Sequence, residues 1–205
     1  MLTLPGVSNL ARPIEFNREQ AVANAMKLFW KQGYGATSLS QLIKVLDISK
    51  SSFYAAFKDK RGLFAEALEL FGDRTRGMLV EIKSQHTALD TIQKFFESTL
   101  FGLPQYQMRC GCMMVNTVLE LSGIEQGLCD LSNAKLDEIE LVFEQAFEED
   151  LESGELRSQH SAKSIAQLVM TINQGLRVDS RKNLSQKEID SIVNTAMDML
   201  RIALH

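Results

Sequence analysis

Residues 49–60 combine lysines and hydroxyl side chains at helical spacing, and side chains of these types can bind nucleic acid. Lysine and serine donate hydrogen bonds to the acceptor atoms of guanine, and a small side chain leaves room for a thymine methyl group. On one face of a short helix they would meet base edges in a DNA groove. The candidates for these base contacts are Lys50, Ser51, Ser52 and Ala55.

A second set of polar side chains occupies the predicted helix ends and turns of the same region. Hydroxyl groups, lysines and free backbone N–H groups at such positions point outward and suit phosphate oxygens. The candidates for phosphate contacts are Thr37, Ser38, Tyr54, Lys58 and Lys60. Arg12, further upstream, could reach a minor groove or a phosphate, or could be a disordered basic residue.

Two helices are predicted upstream of this stretch. Asn17 and Gln20 have the spacing of a capping box, and the helix that they open ends at Gly33. Ser38 and Gln41 open a second, shorter helix in the same way. The first helix is long enough to brace the second and whatever follows it.

A third helix is predicted to start at Ser49, a good N-cap residue, with Ile48 and Phe53 spaced as a hydrophobic staple. A helix this short is unstable alone in water, so its neighbours must hold it. Asp47 occupies the turn before it. Two short helices joined by a tight turn, with a longer helix behind them, make a helix-turn-helix arrangement.

Five segments of this region resemble, in order and spacing, the N-terminal domain of TetR-family transcriptional repressors. The segments are FN (16–17), AMKLF (25–29), GYGATS (33–38), SKSSFY (49–54) and FKDKRGLF (57–64). The resemblance covers residues 12–65 and implies that the third helix enters the major groove of a double-stranded DNA operator. The sequence departs from the family at Leu46-Asp47, where many members have Ala-Gly. Aspartate tolerates the left-handed backbone that such a turn needs.

Charge is distributed unevenly along the chain. Residues 12–61 hold nine lysines and arginines and four acidic residues, a net charge of +5, whereas the whole chain has a net charge of −4. The rest of the chain therefore has a net charge of −9. A basic end on an acidic protein suits a protein that binds DNA through that end alone. Chance asymmetry of a solvated surface is the alternative.

The rest of the chain is predicted to be helical. Helical spacing of apolar residues extends over 59–71, 88–103, 110–122, 125–153, 162–181 and 186–204. Strand and hairpin signals are absent, so the predicted fold is all-α with about nine helices. We expect a flexible leader at 1–11, a helix-turn-helix DNA-binding domain at 12–65 and an effector-binding and dimerisation domain at 66–205. The leader lacks the pattern of a signal peptide and no segment has the ~20 apolar residues that a membrane span needs, which predicts a cytoplasmic protein.

The last two predicted helices are both amphipathic. Ser185 and Glu188 have the spacing of a capping box, and Ile192 belongs to the apolar face that follows. This face could pack on the same chain or on a second copy. Residues 175–185 resemble the matching stretch of TetR relatives, whose last two helices form a four-helix dimer interface. The resemblance therefore implies a homodimer, which would pair two recognition helices on an inverted repeat.

The resemblance also implies an enclosed site for a small-molecule effector in the second domain. Seven of the nine methionines lie there, and methionine adapts to irregular cavities, although ordinary core packing is the alternative. The predicted pocket residues are Phe96, Leu100, Cys112, Met113, Asn116, Thr117, Glu120 and Phe143, with Asn173 as a further polar contact.

Residues 109–117, RCGCMMVNT, resemble an Arg-Gly-Cys-x-x-x-Asn pattern of one TetR subgroup, in which some members sense electrophiles through a cysteine. Cys110 and Cys112 are predicted at a helix N-terminus beside Arg109, a setting that lowers the pKa of a thiol. A buried, inert thiol is the alternative for Cys112. Cys129 is interpreted as a core residue, and neither a disulfide framework, a metal site nor a cofactor is predicted.

One enzymatic alternative exists, with Cys112 as the nucleophile and His86 or His160 as the base. Both histidines lie in polar connectors, and the sequence has no phosphate loop or paired-carboxylate motif. The predicted function is therefore transcription regulation, as a homodimeric repressor that a ligand or an electrophile releases from its operator. An activator, or a regulator that responds to no ligand, would make the same DNA contact and stays open.

Overall fold

The computed structural model describes residues 17–101, 104–182 and 184–204, and within these ranges every regular element is helical. The elements are α1 (Arg18–Gln32), α2 (Leu39–Leu46), α3 (Lys50–Phe57), α4 (Lys60–Lys83), α5 (Ala88–Phe96), α6 (Gln105–Met108), α7 (Met113–Leu121), α8 (Gln126–Ser153), α9 (Ala162–Ser180) and α10 (Gln186–Ala203). A π-helical turn at Glu97–Phe101 continues α5. Nine of these described helices have eight residues or more, which confirms the all-α prediction. The predicted leader and Arg12 lie outside the described residues.

α1 and α2 begin at the N-caps predicted from the sequence. The Asn17 side chain accepts a hydrogen bond from the Gln20 N–H at 2.9 Å, and Ser38 and Gln41 form a complete capping box. Each bond satisfies an N–H group that the first helical turn leaves unpaired. The capping box predicted for α1 is only half formed, because the Gln20 side chain donates to Asn24 instead.

α3 is held both from inside and at its two ends. Phe53 and Phe57 are buried against its neighbours, and Ser49 caps the first turn by accepting a backbone N–H at 3.0 Å. The turns on either side of α3 each use a non-glycine residue with positive φ, Asp47 at 52° and Lys58 at 64°. The left-handed backbone expected at Asp47 is confirmed, whereas the turn at Lys58 was not predicted.

The remaining helices pack around α8, the longest one, which contacts α4, α5, α7 and α9. α4 packs on both α1 and α8, so it joins a head (α1–α3, residues 18–57) to a body (α4–α10, residues 60–203). The rings of Phe95 and Phe143 meet edge to face at the centre of the body, with centroids 5.4 Å apart. Burying each such ring stabilises the fold by roughly 2–3 kcal/mol.

Two predicted helices of the body have different bounds in the structure. The helix predicted at 110–122 begins at Met113, because Gly111 turns the chain with a φ of 70° and Cys112 is extended. The helix predicted at 88–103 comprises α5 and the π-helical turn, and its last two residues lie outside the described residues. Within the described ranges, no helix is both long and apolar enough to cross a membrane.

Candidate nucleic-acid interface and ligand cavity

The outer face of α3 presents most of the predicted base and phosphate contacts to solvent. Phe53 and Phe57 point into the head, which turns the other side of the helix outward. The exposed residues are Lys50, Ser51, Ser52, Tyr54, Ala55 and, in the following turn, Lys58. The hydroxyls of Ser51 and Ser52 both lie 2.8 Å from the hydroxyl of Ser49, so the N-terminus of α3 carries a cluster of hydroxyl groups.

Two of the predicted phosphate contacts face the interior instead. Thr37 is fully buried, and its hydroxyl donates to the Gly33 carbonyl at 2.7 Å. The Lys60 ammonium donates to the carbonyls of Tyr34 and Thr37 at 3.1 and 3.2 Å and lies 4.2 Å from the centroid of the Tyr34 ring. Both side chains therefore brace the loop between α1 and α2. Ser38 is exposed, but its hydroxyl belongs to the capping box of α2.

Positive charge on the head is mostly free of acidic partners. Arg18 pairs with Glu66 at 2.7 Å, and Arg61, at the start of α4, pairs with Glu125 at 3.0 Å. Five lysines in the described part of residues 12–61 have no carboxylate within 4 Å among the described residues. They are Lys27, Lys31, Lys44, Lys50 and Lys58, all exposed. These lysines leave the head with charge that an anionic partner can neutralise.

Glu120, which the sequence analysis placed in the effector pocket, connects α7 to the head. Its carboxylate accepts hydrogen bonds from the N–H groups of Tyr34 at 3.0 Å and Gly35 at 2.6 Å. A Cβ atom at Gly33 would lie 2.6 Å from the nearer carboxylate oxygen, so the close approach needs glycine there. Gly33 also has a φ of 86°, a conformation that favours glycine.

Two further contacts join α1 and the start of α4 to the loops that flank α7. The indole N–H of Trp30, on α1, donates to the Gly111 carbonyl at 3.0 Å, and the Arg61 guanidinium binds Glu125. These two contacts and the Glu120 contact are called the junction below. All three bring the segment 111–125 of the body against α1, the loop after it, or the start of α4. A movement of α7 would therefore act on the head through these contacts.

A cavity of about 170 Å³, partly open to solvent, lies beside the junction, between α1, α4, α5, α7, α8 and α9. Its apolar wall consists of Trp30, Phe71, Met78, Phe95, Met114, Leu136 and Ile139. Its polar wall consists of Thr75, Ser98, Thr99, Gly111, Cys112, Asn173 and Arg177. The cavity therefore combines an apolar lining with a smaller number of polar groups, as small-molecule sites usually do.

Of the predicted pocket residues, this wall contains Cys112 and the further polar contact Asn173. Phe96, Leu100, Met113, Thr117 and Phe143 are buried in the packed core. For two of them an adjacent residue, Phe95 or Met114, lines the cavity instead. One residue turns an α-helix by about 100°, so a small error of rotation moves a side chain to another face. Asn116 holds the turn before α7, with its amide donating to the Cys110 carbonyl at 2.8 Å.

Arg177, the charged residue of the wall, and Trp30 were not predicted from the sequence. Arg177 and Asn173, the further polar contact predicted from the sequence, lie one turn apart on α9, on the same buried face as Ala166 and Met170. A charged residue continuing the apolar stripe of an amphipathic helix is a signal that could have identified it. Burial lowers the pKa of Arg177 from its ordinary value.

Cys112 is buried, and burial raises the pKa of its thiol, although the charge of Arg177 and the N–H groups of Val115 and Met114 act in the opposite direction. The lowered pKa predicted for Cys112 is therefore wrong. Burial also raises the pKa of Cys110, whose thiol donates to a backbone carbonyl at 3.2 Å. Within the described ranges, no three His, Cys, Asp or Glu residues are grouped so as to hold a metal ion.

α9 and α10 leave an apolar surface that is in large part exposed to solvent. Ile189, Val193 and Met197 of α10 are completely buried against the body. The neighbouring stripe of α10 is exposed and lies beside exposed residues of α9. This surface, the α9–α10 face, comprises Leu168, Ile172, Ile192, Ala196, Met199 and Ala203. The apolar face predicted for α10 is thus divided between the core and the solvent.

Comparison with protein families places this fold and sequence among known regulators. Residues 21–74 match the family model of bacterial regulatory proteins, tetR family, and residues 88–196 match the model of the tetracyclin repressor-like C-terminal domain. The HTH-type transcriptional repressor ComR of Escherichia coli (strain K12) is 27% identical over 191 residues, which cover 91% of this chain and 90% of ComR.

Two solved structures show the same fold. A cysteine mutant of the TetR family transcriptional regulator CifR, complexed with 26-base-pair double-strand operator DNA, has a TM-score of 0.80 and 24% identity, covering 91% of this chain and 98% of that chain. The reduced form of E. coli NemR has a TM-score of 0.78 and 19% identity, covering 92% of this chain and 97% of that chain.

Proposed function

The chain belongs to the TetR family of bacterial transcriptional regulators, and on that premise we propose that it is a homodimeric repressor released from its operator by a small molecule. Members of this family are regulators and not enzymes, so the enzymatic alternative built on Cys112, His86 and His160 is abandoned. We keep the division into a DNA-binding domain at 12–65 and an effector-binding and dimerisation domain at 66–205.

The observation that carries the proposal is the exposed face of α3. Lys50, Ser51, Ser52, Tyr54, Ala55 and Lys58 stand in solvent on a helix anchored by two buried phenylalanines. A rigid, basic, hydroxyl-bearing helix of two turns fits the major groove, where it can meet base edges and phosphates together. Thr37 and Lys60 support this surface from behind, since their side chains hold the loop between α1 and α2.

A gel-shift titration with the intergenic DNA upstream of the protein's own gene tests this role. We expect a salt-sensitive complex that resists non-specific competitor, and we expect Lys50→Ala and Tyr54→Ala to weaken it without lowering the melting temperature. Lys94→Ala, which removes an exposed lysine from α5, is the matched control and should leave binding unchanged. Absence of a competitor-resistant complex would refute the proposal. A reporter gene then separates repression from activation, because the DNA contact is the same in both.

The homodimer is supported by the α9–α10 face. Ile192 is 40% exposed and Met199 is 67% exposed, although both lie on an otherwise well-packed helix. Contiguous apolar surface of this kind usually marks a protein–protein contact. Pairing the face with its own copy by a two-fold axis would bury it on both chains.

Sedimentation at micromolar concentration should give about twice the 23.0 kDa chain mass. Ile192→Glu should dissociate the dimer while leaving the monomer folded, because it would bury an unpaired charge only in the interface. Val80→Glu changes an exposed apolar residue of α4 in the same way and should leave the dimer intact. A monomeric wild type would refute the dimer.

Release from DNA is proposed to start in the cavity. Trp30 belongs both to the cavity wall and to the junction, so a ligand that moves the wall acts on α1 directly. A ligand shifts the equilibrium only by binding the DNA-free conformation more tightly than the DNA-bound one. A thermal-shift screen with small, largely apolar molecules, followed by gel shifts with each hit, tests whether binding and release coincide.

Response to an electrophile is a second candidate, supported by the position of Cys112 in the cavity wall. The relatives solved as a cysteine mutant of CifR and as reduced NemR also direct attention to thiols. Alkylation of Cys112 would place bulk in the cavity. Cys112→Ser should abolish release by N-ethylmaleimide and Cys110→Ser should not; an unchanged response in Cys112→Ser would leave Cys112 as a packed core thiol.

A further inference from the structure

Arg177 is the only charged side chain in the cavity wall among the described residues, and it is 7% exposed. Its Nε donates to the Asn173 side-chain oxygen at 3.2 Å, and its Nη1 donates to the Thr99 carbonyl at 2.7 Å. Its Nη2 donates to the Thr99 hydroxyl. All three acceptors are neutral groups. No carboxylate of the described residues lies within 4 Å of the guanidinium, so its positive charge is buried without a counter-ion in that part of the chain.

The neighbouring groups do not neutralise this charge. The Cys112 thiol is the group whose negative charge would act on Arg177, but burial raises the pKa of this thiol, which disfavours the thiolate. The Phe95 ring lies at the outer limit of a cation–π contact, with its centroid 6.0 Å from the guanidinium carbon. A buried charge without a counter-ion is costly, and an anionic ligand would remove that cost.

Arg177 also has hydrogen-bonding capacity left over. A guanidinium has five N–H donors, of which three are used here, so Nη1 and Nη2 each keep one N–H. Because Thr99 holds the two N–H groups at the end of the guanidinium, the two free N–H groups lie on its opposite edges, and a carboxylate can accept a charge-assisted hydrogen bond from one of them. The Thr99 and Asn173 bonds fix the plane of the group in advance.

The rest of the cavity sets the size and polarity of the ligand. Its volume of about 170 Å³ is close to that of cavities of roughly 150 Å³ that hold benzene. The side chains of Phe71, Leu136 and Ile139 make much of the remaining wall apolar. Building on the proposed effector role, we propose that the cavity binds a one-ring or similarly small hydrophobic monocarboxylate, whose carboxylate pairs with Arg177.

The test uses the full-length protein and its only tryptophan. Trp30 lines the cavity, so its fluorescence reports occupancy without any added label. Benzoate, cyclohexanecarboxylate and hexanoate are titrated at constant ionic strength, with benzyl alcohol as a neutral compound of benzoate's size. We expect at least one carboxylate to give a saturable change and to bind at least about tenfold more tightly than benzyl alcohol, because the alcohol has no negative charge to offset that of the buried guanidinium.

Substitution of the arginine supplies the second arm. Arg177→Met, which keeps most of the length of the stem, should remove the preference for the carboxylate over benzyl alcohol. Arg181→Met removes an exposed arginine one turn later on the chain and should leave the preference intact. If Arg177→Met does not fold, the comparison of charged and neutral compounds on the wild type decides alone.

The proposal is overturned if none of the three carboxylates gives saturable binding, or if benzyl alcohol binds the wild type as tightly as they do. It is also overturned if a folded Arg177→Met keeps the preference. Gel shifts with the bound carboxylate separate this result from the proposed repressor role. A carboxylate that binds through Arg177 but does not release DNA supports the site and refutes the effector role.

Discussion

The lysines of α3 and the guanidinium of Arg177 present positive charge to a partner in opposite ways. Lys50 and Lys58 stand in water, where salt screens each charge and a single contact contributes little. Arg177 is enclosed, without a carboxylate partner in the described residues, and its field is not screened. DNA would be held by the sum of many weak contacts, whereas a carboxylate would depend on one strong contact. The two sites should therefore respond differently to salt, to substitution and to pH.

Salt concentration should separate the two sites most strongly. If a dimer makes 6–10 phosphate contacts, its operator affinity should fall roughly 1,000- to 100,000-fold between 50 and 200 mM salt, because counterions are released from DNA on binding. Benzoate affinity should change by less than about threefold over the same range, since salt screens a buried ion pair much less than an exposed one. Gel shifts and Trp30 fluorescence measure the two quantities. If operator affinity and benzoate affinity decreased equally with salt concentration, solvent ions would have to reach Arg177.

Substituting an enclosed lysine and an exposed one tests the same contrast inside the head. Lys60→Met should lower the free energy of unfolding by about 2 kcal/mol, because the carbonyls of Tyr34 and Thr37 would be left without their charged donor. Lys50→Met should leave stability unchanged and reduce the salt slope of operator binding by about 1 for each phosphate that Lys50 neutralises. Urea unfolding and salt-dependent gel shifts measure both. If Lys60→Met kept its stability but bound DNA more weakly, the result would support the original prediction that Lys60 contacts a phosphate.

The pH dependence of alkylation tests the enclosed thiol. Because burial raises the pKa of Cys112, the reactive thiolate is scarcer at neutral pH than in an ordinary thiol. Its rate of alkylation should therefore start low and rise about tenfold per pH unit until the pH passes the raised pKa. Mass spectrometry of the native protein after timed exposure to iodoacetamide measures this rate. A plateau near neutral pH would show that the charge of Arg177 outweighs burial.

The smallest effect is expected at the turn before α3. Asp47→Gly should change the free energy of unfolding by less than about 1 kcal/mol, since relief of the positive φ opposes the greater freedom of glycine in the unfolded chain. Asp47→Val should destabilise by about 1–2 kcal/mol, because a β-branched residue fits this conformation poorly. Thermal unfolding measures both variants. A large decrease in stability for Asp47→Gly would indicate a role for the carboxylate itself.

The sequence predicted what depends on neighbours along the chain. Capping residues such as Ser38, Ser49 and Ser185 bind an N–H group only three residues later, and this bond does not depend on the rest of the fold. Those helix starts were therefore predicted correctly. The direction of a side chain within the folded molecule depends on what packs against it. Thr37 and Lys60 have the polarity of surface residues and become internal only because α4 lies against the loop after α1.

The cavity could not be assembled from the sequence for the same reason. Its wall takes a few residues from each of several helices, and a rotation of one residue replaces Phe95 by Phe96 or Met114 by Met113. Glu120 illustrates the limit most clearly. Nothing within several residues of it indicates that its carboxylate would bind two N–H groups more than eighty positions away.

The π-helical turn after α5 has a consequence for how ligand preference could change over generations. Such a turn accommodates one residue more than an α-helix would, and here it carries Thr99, which orients Arg177. The residue five positions after Thr99 is Pro104, which has no N–H to complete a π-type bond with the Thr99 carbonyl. Deleting a single codon in this turn would rotate Thr99 by about 100° and free the guanidinium, while α3 kept every residue that it presents to DNA. The deletion of one residue could thus change the ligand to which the protein responds without changing the operator that it binds.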